Sequence, residues 1–281
     1  MPLVIVPTPV GNLRDMTMRG LDALRDADVI ACEDTRRTLK LLNRYDIRKP
    51  LISYHRHNER TRTGEILERL GRGENVALVS DAGTPGISDP GQILAAAAIE
   101  GGFSVDALPG ANAILPALLM SGIVTRGFHF AGFVTGSGSE VESALSELAD
   151  IRDALIFCVA PHDLAAFLAS ALNAFGERRA ALVREISKVH QEAIRGTLGE
   201  LVLVSRTREL KGEMLLVTEG ADCPKQDEER YGWPILASCM KKEGIWDKII
   251  ANVLYESYGI ARNTVKKFLS REAAENERER E

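Results

Sequence analysis

The chain has 281 residues, 45% of them hydrophobic and 27% charged, with a formal net charge of −5. At roughly 150 residues per domain this length suggests about two domains, and the composition excludes a collagenous or wholly disordered chain. No apolar run reaches the roughly 18 residues that a membrane-spanning helix requires.

Met1–Pro7 is apolar but short, without a basic flank, and reads as a first strand rather than a signal peptide. Cys32, Cys158, Cys223 and Cys239 stand far apart with no C-x-x-C pair. Neither a disulfide framework nor a metal site is expected, and a reducing cytoplasm is the default location. Over the first 120 residues short apolar runs alternate with helical patterns. Strands are predicted at 3–7, 29–32, 51–54, 76–80 and 105–108, and helices at 17–27, 35–45, 58–72, 90–100 and 111–120. Such β-α alternation builds a largely parallel sheet covered on both faces. The continuous apolar run Val76–Val79 suits a strand buried on both sides.

After Gly122 the pattern changes. A strand at 128–134 leads into the Gly/Ser-rich stretch 135–139, read as a loop or lid. A helix at 140–148, a strand at 154–159 and a helix at 162–175 follow, then strands at 180–186, 192–197 and 213–219 whose spacing suggests hairpins and a mixed sheet. Residues 221–230 read as a polar linker. Short helices at 235–240, 246–258 and 262–270, with Gly259 between the last two, have the spacing of a helix-turn-helix. The tail from Arg271 is almost wholly charged and is expected to fray. The expected fold is therefore α/β, with one domain at 1–116, a second at 117–222, a small all-α helix-turn-helix module at 231–272 and a charged tail at 273–281.

Charge is uneven. Residues 36–72 carry 11 Lys/Arg against 4 Asp/Glu, with His55 and His57 among them. That segment either presents a polyanion-binding face or decorates solvated helices. Arg36, Arg37, Lys40, His55, Arg56, Arg60 and Arg62 are the candidate RNA contacts, and Tyr54 is a candidate stacking platform for a splayed base. The spacing of His55 and His57 offers no third metal ligand.

Three loops follow predicted strands, where ligands bind in open α/β sheets. Pro7–Asn12 holds two prolines and a glycine in a sharp turn. Ser80–Gly91 holds three glycines and two prolines, which let backbone approach a ligand closely. Its carboxylates and amides suit a ribose and an amino acid better than a triphosphate, and it lacks the lysine of a P-loop. Asp89 with Pro90 also reads as a helix entry, cap followed by first turn. Leu108–Ala113 opens a helix with small residues, against which either a planar ligand or the sheet can pack.

Taken together, Thr8-Pro9-Val10-Gly11-Asn12-Leu13, Glu33-Asp34-Thr35-Arg36, His55–Glu59, Ser80–Gly91 and Leu108-Pro109-Gly110 resemble the tetrapyrrole-methylase superfamily. More narrowly, they resemble its ribosomal RNA small subunit methyltransferase I branch. The similarity runs on through Arg184–Lys188 and Lys211–Met214 to the C-terminal helices. It implies a homodimer with S-adenosylmethionine folded in the cleft between two α/β domains, held by Pro9, Asp81, Gly83, Thr84, Pro85, Asn112, Ala113, Phe157 and Cys158. The implied reaction is methylation of a cytidine ribose 2′-oxygen in 16S ribosomal RNA, free or in the small subunit. Two stretches depart from the branch: Cys158-Val159-Ala160 replaces an aromatic-acidic pair, and Thr135–Ser139 is uncharged.

Methyl transfer from a sulfonium needs alignment above all, helped by a base for the hydroxyl. Lys188 with a lowered pKa, Glu33 as base and Asn12 as orienting group are the candidate catalytic residues. Arg262, Lys266 and Lys267 are further candidate RNA contacts, although the region from residue 221 on has 11 Lys/Arg against 12 Asp/Glu. Competing readings are a methylase of a small planar, tetrapyrrole-like substrate and a ligand-sensing DNA-binding regulator. The basic segment argues against the first, and the near-neutral C-terminus against the second.

Overall fold

A computed structural model describes residues 3–221, 232–258 and 260–278. Most of the expected linker, Gly259 and Cys223 lie outside the described residues. Met1–Ala221 form one unit and Asp222–Glu281 a second.

The first unit contains two five-stranded sheets. The first is wholly parallel, in the order β3-β2-β4-β1-β5, from β1 (Leu3–Ile5), β2 (Val29–Cys32), β3 (Leu51–Ser53), β4 (Val76–Val79) and β5 (Val105–Ala107). Its strands are apolar on both sides because helices cover both faces. Ile30, Cys32, Ala77 and Val79 pack with Leu21 and Leu24 of α1 (Met18–Asp26) and Leu42 of α2 (Thr35–Arg44). Their neighbours Val29, Ala31, Val76 and Leu78 point the other way, onto Ile66 and Leu70 of α3 (Glu59–Gly71) and Leu94 and Ala98 of α4 (Gln92–Glu100). Thr17 and Asp34 cap α1 and α2, accepting from Gly20 N at 3.0 Å and Arg36 N at 2.8 Å. Each such cap contributes about 1 kcal/mol.

The helix entry expected at Asp89 is displaced. Gly91, at φ +146°, takes the cap position and α4 begins at Gln92. The Asp89 carboxyl is thereby left at the sheet rim.

The second sheet is mixed, in the order β6-β7-β10-β8-β9. β6 (Phe128–Phe133) and β7 (Ala154–Val159) are parallel; β10 (Met214–Thr218), β8 (Arg179–Arg184) and β9 (Glu192–Thr197) join antiparallel. One face packs on α6 (Gly138–Leu148), α7 (Leu164–Phe175) and α8 (Leu198–Thr207). The other receives Ile114, Ala117 and Leu118 of α5 (Ile114–Ser121). Two readings of the sequence need correction here. The Gly/Ser stretch is partly a helix start, with Ser137 and Glu140 forming a capping box. Helix α8, absent from the predicted elements, has its own box from Thr197 and Glu200.

Among the described residues the second unit holds three helices, α9 (Trp233–Lys242), α10 (Asp247–Tyr258) and α11 (Arg262–Arg278). They close over Trp233, Ala237, Ile250, Leu254, Val265 and Leu269. α11 continues to Arg278, past the point at which the tail was expected to fray. Among the described residues no helix is long and apolar enough to cross a membrane.

Candidate active site

Parallel pairing sends the C-terminal ends of all five strands of the first sheet to one rim, so its loops collect there. Thr8 and Gly83 exchange backbone bonds of 2.8 Å in each direction, joining the loops after β1 and β4. The Thr8 hydroxyl donates to Ser80 O at 3.0 Å and the Thr84 hydroxyl to Ala111 O at 3.1 Å, tying in the loop after β5. Gly83 is the junction. Its φ of +79° suits glycine, and a Cβ there would come within 3.5 Å of Val10, 3.9 Å of Ala111 and 4.0 Å of Asn112.

Three carboxylates share this rim. Asp81 accepts from Asp34 N at 3.0 Å and pairs with Arg37 at 3.2 Å. Burial, then the Asp81 charge, push Glu33 above the ordinary glutamate value, against the pull of Arg56, an N–H bond from the Asp81 backbone and Arg37. Asp89 is pushed up to about 6, first by burial and then by the Glu33 charge, with Arg56 opposing and Asp81 adding. Such crowding of like charge in a half-buried place raises carboxyl pKa values.

The second sheet faces these loops. A Cβ on Gly132 in β6 would lie 3.4 Å from Ser88 Oγ. The Cys158 thiol on β7 is raised to about 11 by burial and then by the Asp89 charge. Val10 and Ala113 pack into the apolar cluster of that sheet. A Cβ on Gly11 would fall 2.5 Å from Ile186 O and 2.6 Å from Lys188 Cγ, so the first loop is pressed onto the segment after β8. That segment is held tightly. Glu185 and Ser187 have φ of +52° and +62°. Lys188 Nζ donates to Glu185 and Glu213, both at 3.0 Å.

Several expectations change on this geometry. Lys188 does not carry the lowered pKa that a base would need: burial pulls its ammonium down, but the bonds to Glu185 and Glu213 outweigh that and hold it above the ordinary lysine value. The Phe157 ring cannot face the cleft. It lies on the opposite side of β7, wholly buried, 5.4 Å from Phe167 and 6.0 Å from Phe175. Tyr54 is wholly buried, with its hydroxyl 3.2 Å from Thr63 Oγ1, and offers no stacking surface.

The remaining residues divide. Pro9, Asp81, Gly83, Thr84 and Pro85 stand on the joined loops, and Asn112 and Ala113 at the start of α5, where Asn112 Oδ1 accepts from Leu115 N at 2.9 Å. Glu33 joins them, and Cys158 stands across from Asp89. Asn12 is exposed and its side chain accepts from Arg14 N at 3.1 Å. Arg36 pairs with Asp34 at 3.0 Å, holding that carboxyl down to about 2. Arg62 pairs with Glu65, and Arg56 donates to Ser88 O. His55 turns toward Asn58, Nε2 to Nδ2 at 3.3 Å, and its ring lies edge-on to His57 at 5.9 Å. Lys40 and Arg60 are exposed and make no ion pair among the described residues. Lys40 shares a cavity of about 140 Å³ with Pro9, Arg37 and Asp81.

The sequence reading missed the Glu185–Lys188–Glu213 clamp, because one partner lies 25 residues away. It also read Asp89 as a cap, since Asp-Pro has that signature, whereas its carboxyl is bonded to the Ser80 side chain at the rim.

Comparison with known proteins agrees with this arrangement. Residues 2–202 match the profile of the Tetrapyrrole (Corrin/Porphyrin) Methylases. The chain is 44% identical over 236 residues to the ribosomal RNA small subunit methyltransferase I of Bacillus subtilis (strain 168), covering 84% of this chain and 81% of that protein. It is 45% identical over 231 residues to the protein of the same name from Synechocystis sp., covering 81% of this chain and 83% of that one. Among solved structures, uroporphyrin-III-C-methyltransferase from Thermus thermophilus superposes with a TM-score of 0.55 at 18% identity, over 76% of this chain and 93% of that one. A diphthine synthase superposes at 0.59 and 14% identity, over 78% and 89%. These two likenesses show the fold. The joined rim loops, the mixed second sheet and the sequence matches together place the chain in the tetrapyrrole methylase family.

Proposed function

We propose that this methyltransferase transfers a methyl group from S-adenosylmethionine to a cytidine ribose 2′-oxygen in small-subunit ribosomal RNA, working as a homodimer. The observation that carries the reading is the rim itself: Glu33, Asp81 and Asp89 converge beside glycine-lined backbone and against the second sheet. The relatives at 44% and 45% identity carry a ribosomal RNA methyltransferase name.

The residues fit the methyl donor. Gly83 leaves room where three loops meet, and half-buried carboxylates favour a cationic sulfur. Asp81 retains acceptor capacity for ribose hydroxyls beyond its bonds to Asp34 N and Arg37. Pro9, Thr84, Pro85, Asn112, Ala113 and Cys158 would complete the walls. When bound, the donor supplies an already activated methyl group, so alignment dominates the chemistry.

Glu33 is the base: its raised pKa brings it nearer to neutral pH, where proton transfer is most effective. Lys188 is held by its two carboxylate partners and sets its stem against Gly11 of the first loop rather than taking a proton. Asn12, exposed at the edge of that loop, is placed to orient the incoming hydroxyl. Lys40 and Arg60 are available for phosphates. Leu115 and Leu119 on one face of α5, and Val124 beyond it, are 48%, 81% and 93% exposed. An apolar surface of this kind suits the face shared by two copies.

The test is transfer of labelled methyl from the donor to 30S subunits, naked ribosomal RNA or a tetrapyrrole. Label in a cytidine 2′-oxygen is expected. Label confined to the tetrapyrrole, or calorimetry showing no uptake of the donor or its demethylated product, overturns the reading.

A further inference from the structure

We infer that the helical unit carries an anion pocket that takes a backbone phosphate of single-stranded RNA, formed between the start of α9 and one face of α11. This partner rests on the reading above that the enzyme acts on RNA. The pocket itself rests on separate observations.

A cavity of about 750 Å³ lies between residues 232–235 and the α11 residues Thr264, Lys267, Phe268 and Arg271. Those four positions recur at the spacing of a single helix face. Among the described residues neither Lys267 nor Arg271 makes an ion pair, and both are exposed. Arg262, at the start of the same helix, is already engaged. It donates to Asn252 at 2.7 Å and Glu256 at 3.1 Å, and lies 3.7 Å over the Tyr255 ring. Of Arg262, Lys266 and Lys267, the RNA contacts expected on this helix, Arg262 is therefore engaged with protein partners and Lys267 lines the cavity.

The facing wall is also a donor. Gly232, at φ +58°, is the N-cap of the ten-residue α9 and supplies no side-chain cap. Pro234 has no N–H, so the uncapped first-turn donors are those of Trp233 and Ile235, and with the helix dipole they favour an anion. Trp233 stands in the same wall, 1% exposed, and its indole N–H has no partner. Buried donors are rarely left so. Its ring is fixed edge-on to Phe268 at 5.1 Å. Among the described residues no carboxylate lines the cavity. Two cations, a hydroxyl and a helix start thus line one cavity, with a partnerless indole N–H buried in its wall.

The test uses the full chain, without methyl donor. With Trp246→Phe leaving a single tryptophan, the indole ¹H–¹⁵N resonance of Trp233 is followed while inorganic phosphate or a single-stranded oligoribonucleotide is added. Both additions are expected to move it. In parallel, log affinity for the oligoribonucleotide is measured against log salt. Lys267→Gln with Arg271→Gln is expected to flatten that slope by about 1.4, at about 0.7 per lost contact on a single strand. Lys248→Gln on α10, away from the cavity, is expected to leave it unchanged.

No movement with either ligand overturns the pocket. Movement with phosphate alone, with the RNA slope unaffected by the double substitution, overturns the RNA assignment and leaves a small-anion pocket. Both variants fold independently of the result, because positions 267 and 271 face solvent. Methyl transfer to 30S subunits is scored separately, so failure of either proposal is recognised without the other.

Discussion

The two sheets of the first unit have five strands each and opposite habits. The first is all parallel, so every crossover returns over a face and every C-terminal loop reaches one rim. The second turns back on itself through β8, β9 and β10, scattering its loops to both ends. The first therefore concentrates polar chemistry, while the second contributes a wall: Gly132, Cys158 and the segment after β8. Topology alone assigns the roles of reagent holder and backstop.

Three substitutions break or sharpen this division. Glu33→Gln on the reagent side carries the largest expected effect. Loss of a general base lowers methyl transfer about 10²- to 10³-fold while calorimetry finds donor binding retained. Unchanged turnover would remove Glu33 from the chemistry. Gly11→Ala tests the seam between the sheets. Its Cβ would lie 2.5 Å from Ile186 O, and a displacement approaching 1 Å costs about 10² in rate. A rate within threefold of the parent would mean that the seam is not set by this contact.

Asp89→Asn has the smallest effect and acts on stability. The folded pKa of about 6 exceeds the ordinary 3.8. The folded state therefore holds the proton more tightly, and stability falls as pH rises between those values. Removing the charge is expected to raise stability by about 1 kcal/mol at pH 7.5, after allowance for solvent screening. The gain disappears below about pH 4. Melting curves at several pH values measure it, and a pH-independent gain would place the cause elsewhere.

The same contrast explains what could be read from the sequence. Parallel βα units repeat a strong pattern, and their Pro/Gly loops mark the rim, so the first sheet and its three loops were visible as strings of letters. β7 is apolar on both sides, so alternation could say that Ile156 and Cys158 share a face but not that Phe157 faces the helices. α8 hid behind the apolar run Leu201–Val204, although Thr197 and Glu200 carried a capping signature three residues apart. Lys188 looked like a base because its carboxylate partners are made by folding. One of them, Glu185, is brought into place by a left-handed backbone conformation that no composition announces.

Residues 108–127 are the single crossing of the chain from one sheet to the other. Their first half is a wall of the proposed cleft, and the helix that follows is packed into the second sheet. A swinging motion of the two halves must bend through Leu108–Ala113, so the joint and part of the proposed binding surface are one piece of chain. Occupancy thereby stiffens the pivot, and ligand should slow amide exchange there more than at the outer edges of either sheet.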